Sequence, residues 1–96
     1  MIKHIVCFKI KEEYKNRLLE AKTKMLQMKQ EIPYLVDVEV GLDFLHSDRS
    51  YDLYLSVILK SKEDLERYQN DAYHCSVVKT LMHEIRESSI AVDFEM

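Results

Sequence analysis

The sequence predicts an α+β fold with element order β-α-β-β-α-β and a single antiparallel sheet. Three observations carry this reading. Apolar residues alternate at period two in four separate stretches, and they recur at three- and four-residue spacing in two others. Pro33 stands where the first of those longer-period stretches stops, and Ser61 stands where the second begins. With 96 residues, the chain is expected to form one domain over 1–96.

Ile2, His4, Val6, Phe8 and Ile10 alternate with Lys3, Ile5, Cys7, Lys9 and Lys11, a strand. Its second face also carries Ile5 and Cys7, so the middle of this strand is expected to be covered on both sides. From Lys11 the period changes. Tyr14, Leu18, Ala21, Met25, Met28 and Ile32 form one stripe of an amphipathic helix, which Pro33 stops because the residue before a proline disfavours helical geometry. Val36, Val38, Val40, Leu42 and Phe44 alternate with polar neighbours as a second strand. After the polar turn His46–Ser50 comes a third, carrying Tyr51, Leu53, Leu55, Val57 and Leu59. These two read as an antiparallel hairpin. Ser61 is placed to cap a helix bearing Leu65 and Tyr68, with acids in its first turn. A polar break at Asn70-Asp71-Ala72 separates it from a second piece with Val77, Val78, Leu81, Met82 and Ile85. Ile90, Val92 and Phe94 make the fourth strand.

This order is the ferredoxin-like split βαβ arrangement, in which two helices cover one face of the sheet. The opposite face would show Ile5, Cys7, Tyr54 and Ile58. That face is apolar enough to predict a homodimer in which two sheets meet and close a barrel.

Composition excludes several functions. One glycine, Gly41, is too few for a P-loop, a dinucleotide fingerprint or a serine-hydrolase elbow. Net charge is −3, and no basic cluster exceeds Lys9-Ile10-Lys11, so no nucleic-acid partner is expected. No apolar run approaches the ~18 residues of a membrane span, and none at the start resembles a signal peptide. Cys7 and Cys75 form no C-x-x-C pair, and they read as free thiols in a reducing cytoplasm. There is no His-x-x-x-His and no zinc-type Cys/His spacing, so neither metal nor cofactor is expected.

The reactive inventory is then four histidines, two cysteines and six tyrosines. His4 shares a row with Val6 and Phe8, and burial there demands a hydrogen-bond partner. A core histidine bonded to backbone or to a tyrosine is the simpler alternative. His74 follows the polar break, where the N-terminus of a helix would favour a neutral imidazole, the form that a general base needs. His83, among Glu84, Arg86 and Glu87, and His46, in a turn, are expected to face water. Tyr68 lies three positions beyond Leu65, on the inward stripe of its helix. The expectation is that His74, His4 and the Tyr68 hydroxyl converge on one pocket, with at least one imidazole titrating below about 6.5.

The opening Met1-Ile2-Lys3-His4-Ile5-Val6-Cys7-Phe8-Lys9-Ile10-Lys11 resembles that of the stress-responsive A/B-barrel (Dabb) domain family. So do Ile32-Pro33 before Val38-Glu39-Val40-Gly41-Leu42-Asp43, Tyr51-Asp52-Leu53, the stretch from Tyr68 through His74 to Val78, and Val92-Asp93-Phe94-Glu95. The resemblance spans nearly the whole chain and implies a homodimeric α+β barrel. One plant branch of the family cyclises linear polyketides with a histidine base, a strand-1 histidine and a tyrosine. By position these would be His74, His4 and Tyr68. This sequence has Asp71-Ala72-Tyr73 where the family often has His-Pro-x. Where the family has a further pocket tyrosine on the first helix, this sequence has Met25 or Leu26, which cannot donate a hydrogen bond. Three functions follow as alternatives. The pocket could bind a small apolar or aromatic molecule, or serve a cofactor-free cyclase or isomerase with His74 as general base. In the third, a structural stress-associated protein fills it with side chains. A haem-degrading monooxygenase shares the fold but finds no tryptophan here and no specified ligand histidine.

Overall fold

A computed structural model describes residues 1–96. Strand β1 (Ile2–Ile10) carries apolar residues in the middle of both faces, and it is an interior strand. It pairs antiparallel with both later long strands, β3 (Leu53–Leu59) and β4 (Arg86–Glu95). The strand β2 (Asp37–Leu42), with Asp37 and Glu39 on its outer face, pairs with β3 and forms an edge. The sheet order is β2-β3-β1-β4, as the split βαβ reading requires.

The first helical segment opens as a 3₁₀ turn, Glu12–Arg17, and only then becomes α1 (Leu18–Glu31). Its stripe is the expected one: Ala21, Met25, Met28 and Ile32 are all buried, and Ile32 closes the helix immediately before Pro33. They meet the inward row of β3, where Leu53, Leu55, Val57 and Leu59 are buried in the same cluster. Ser61 caps α2 (Lys62–Gln69) through its Oγ, which accepts from Asp64 N–H at 3.1 Å. The polar break follows, then a π-helical turn, His74–Lys79, leading into α3 (Thr80–Ile85). No helix is long and apolar enough to cross a membrane.

Two expectations are corrected here. Phe44 does not extend the apolar row of β2, which ends at Leu42. Asp43 Oδ2 accepts the His46 N–H at 2.8 Å, and His46 turns into the left-handed region (φ 54°), so the chain leaves the sheet and Phe44 is 88% exposed. The outer face is also larger than expected. In antiparallel pairs directly opposed residues share a face. Phe94 lies opposite Lys3, Val92 opposite Ile5 and Ile90 opposite Cys7, so β4 adds three exposed apolar side chains to that face.

Asp52, which the alternation left as an ordinary polar strand residue, is buried at the end of β1. On the β3 side of β1 the Asp52 N–H donates to the Phe8 carbonyl at 2.8 Å, and the Ile10 N–H donates to Asp52 Oδ2 at 2.7 Å. Lys15 Nζ approaches the other carboxylate oxygen at 3.4 Å. Removing the carboxylate strands a buried donor, so Asp52→Ala should lower stability by about 1–3 kcal/mol. A urea melt with an unchanged midpoint would show that the N–H finds another acceptor.

Candidate functional site

The site is built where the chain restarts its helix. Asp71 Oδ2 accepts the His74 N–H at 3.1 Å, the bond of an N-terminal cap, which fixes the backbone at His74. The widened turn that follows misaligns some i→i−4 bonds, and Thr80 Oγ1 donates to the Cys75 carbonyl at 3.1 Å. Single π turns of this kind are common at functional sites. Here the turn carries His74 back over the sheet. The His74 ring stacks on Tyr68, with centroids 4.1 Å apart and planes 24° from parallel. From β1, His4 meets the same tyrosine edge-on at 5.9 Å.

His4 has found the partner that its buried row demanded. Its Nδ1 is bonded to the carboxylate of Asp93, the residue directly opposite on β4. This is neither the backbone nor the tyrosine contact that the simpler alternative supposed. The cluster therefore runs Asp93–His4–Tyr68–His74. Its members His4, Tyr68 and His74 line a cavity of about 230 Å³ between the sheet and the helices, and Asp93 is not among the lining residues. Val6, Phe8, Leu55, Val78 and Met82 supply the apolar wall. Gln69, Lys79, His83, Arg86 and Ser89 supply the polar side.

Tyr68 contributes its ring and not its hydroxyl. The hydroxyl donates to Met28 Sδ at 3.7 Å, within the core under α1, and burial pushes its pKa far up. The expected convergence of the hydroxyl with the two imidazoles is thus corrected: a fully buried tyrosine takes its hydrogen bond where the core offers an acceptor. His83 is exposed, as expected, and it also lies on the cavity lining. His46 stays exposed in the hairpin loop beside Asp43. Cys75 Sγ donates to the Gln69 carbonyl at 3.3 Å, and Cys75 is not among the cavity-lining residues.

His74 is buried, and its Nδ1 has no hydrogen-bond partner. Burial holds its pKa down to about 4. The Lys79 charge and His4 act in the same direction, while the Tyr68 backbone and Asp71 oppose them. The imidazole is therefore neutral through the physiological range. Because the unfolded chain takes a proton near 6.5 and the folded chain only near 4, this residue lowers stability as pH falls through that interval and leaves it unchanged above it. No three His, Cys, Asp or Glu side chains converge to hold a metal ion.

Asp93, Lys79 and Arg86 are site residues that the sequence reading missed. Lys79 and His83 stand at i and i+4 of the second helical region, and Arg86 follows at i+7 as the first residue of β4. Asp93 had no local signal, because its pairing with His4 depends on the register of strands 89 residues apart.

These features define a ferredoxin-like α+β protein with a histidine-bearing cavity between its sheet and its helices. A dimeric ferredoxin-like protein of unknown function from Thermobifida fusca matches it with TM-score 0.87 and 20% identity, over 99% of this chain and 90% of that one. A Dabb family protein from Mesorhizobium loti matches with TM-score 0.74 and 20% identity, over 99% and 95%. The hydroxynitrile lyase of Passiflora edulis matches with TM-score 0.85 and 12% identity, over 99% and 92%. The chain belongs to the stress responsive A/B barrel domain (Dabb) family, whose model matches residues 2–96. It matches no curated protein.

Proposed function

We propose that this protein is a homodimer whose pocket binds a small apolar or aromatic molecule. The observation that carries this reading is the cavity of about 230 Å³ that joins His4, Tyr68 and His74 along one apolar wall. Binding sites of small molecules are mostly apolar, with a few polar groups that fix orientation. Here the wall gives affinity for a ring, and the two imidazoles give it direction. A purely structural role would leave such a space filled by side chains. The homodimer rests on the outer sheet face and on the dimeric state named for structural neighbours.

A second reading is favoured by one specific observation. A buried imidazole held neutral at its stacking distance from Tyr68 is suited to accept a proton, so His74 could serve a cofactor-free cyclase or isomerase as general base. The hydroxynitrile lyase of Passiflora edulis indicates that this fold admits catalysis, and at 12% identity it indicates nothing about which.

Titration with p-cresol, read by NMR at the Met82 methyl, tests the binding reading. Saturable shifts in the wild type, lost in a Val78→Trp variant that fills the cavity, are expected. Unmoved methyl resonances at millimolar p-cresol would overturn it. His74→Gln separates the two readings: a binder keeps its ligand, whereas an enzyme loses turnover while still binding.

A further inference from the structure

We infer that Lys79, His83 and Arg86 form an anion-binding rim on this pocket, and that its ligand carries a carboxylate on an apolar body. This deepens the pocket reading and rests on it. All three side chains line the cavity, and no Asp or Glu does. That is an unusual lining in a chain with 17 acids against 14 bases.

The two permanent cations of the rim are not neutralised by a carboxylate, unlike Arg17, Lys24, Lys62 and Arg67, which each hold one within 3.1 Å. In this they resemble Lys11 and Lys29, which also donate to neutral acceptors, but Lys79 and Arg86 do so on a cavity lining. Lys79 Nζ donates to the Gln69 carbonyl at 2.9 Å, and Arg86 Nη1 donates to Ser89 Oγ at 3.2 Å. Gln69 and Ser89 line the same cavity. Neutral acceptors therefore tether both cations beside the cavity without neutralising them. The Lys79 charge also acts on His74 in the same lining, where it helps to keep the imidazole neutral.

The arrangement fits a carboxylate. A guanidinium takes a carboxylate through two parallel N–H···O bonds, and an ammonium beside it adds a point charge. Phosphate sites usually add several backbone N–H groups at a helix N-terminus. This rim is built from side chains instead: Lys79 immediately precedes α3, His83 lies in its last turn and Arg86 follows it. A ligand seated here would lay its ring against Val78, Met82 and Phe8, with its carboxylate on Arg86 and Lys79.

Phenylacetate and phenylacetamide, which differ in charge and little in shape, test this by titration at the Met82 methyl. The wild type should bind the acid at least about tenfold more tightly than the amide, and added salt should narrow the gap. A Lys79→Met/Arg86→Met double variant should lose the preference, the affinity for the acid falling to that for the amide. Both substitutions are at partly exposed positions, and an unchanged circular dichroism melt verifies that the fold survives. Equal affinities for acid and amide in the wild type, or binding of neither, would overturn the inference. Phenyl phosphate binding more tightly than phenylacetate would overturn the carboxylate assignment. The p-cresol titration decides the pocket reading separately, so the two failures are distinguishable.

Discussion

Light scattering at micromolar concentration should give twice the 11.5 kDa chain mass for the wild type and the chain mass alone for Val92→Asp. In the single chain, Ile90, Val92 and Phe94 of β4 are exposed on the same face as Ile5 and Cys7, which β3 continues with Tyr54 and Ile58. A soluble sheet seldom leaves such a continuous apolar face open to water. Two copies meeting on it in an isologous contact would bury on the order of 2,000 Å² in total. An aspartate in the middle of that contact is buried without a partner, which should weaken association by about 100-fold or more. Val92 does not contribute to the buried core of one chain, so circular dichroism should be unchanged. A wild-type monomer at that concentration would remove the homodimer from the proposal.

The second large effect concerns Tyr68. Its side chain is fully buried, packed in the core and against both histidine rings. Tyr68→Ala should cost about 3–5 kcal/mol of stability and collapse the pocket, whose floor it forms. Tyr68→Phe removes only the bond to the Met28 sulfur, a weak acceptor, and should cost under about 1 kcal/mol. The pair also bears on function. If the ring is what matters, Tyr68→Phe keeps p-cresol binding intact. Loss of binding in Tyr68→Phe at unchanged stability would return the hydroxyl to the site, as the sequence alone suggested.

The division between what was legible and what was not follows the range of the interactions. The helical stripe from Ala21 to Ile32, the stop at Pro33 and the cap at Ser61 are local patterns of burial and hydrogen bonding, and each stands where its spacing placed it. The break at Asn70–Ala72 was equally visible, because Asn70 and Asp71 interrupt an apolar period. The π turn at His74–Lys79 was not, since one extra residue per turn leaves no mark in composition. Phe44 continued the alternation of β2 faithfully and still left the sheet, because the Asp43 turn ended the ladder first. The site divided in the same way. His4 and Tyr68 were found because each sits on a row or stripe that points inward, and His74 because it follows the polar break where a helix restarts. Asp93 and the direction of the Tyr68 hydroxyl were not found. Both depend on partners from distant segments, Asp93 on the β1–β4 register and Tyr68 on the sulfur of Met28.

A neutral His74 within the cavity is what both functional readings and the charged rim converge on. NMR of the imidazole ring nitrogens, followed from about pH 8 down to about pH 3, tests it most directly. The His74 signals, assigned by their loss in His74→Gln, should stay those of a neutral ring until the pH nears about 4. Protonation of His74 near 6.5 would contradict the buried, neutral base and with it the pocket as described.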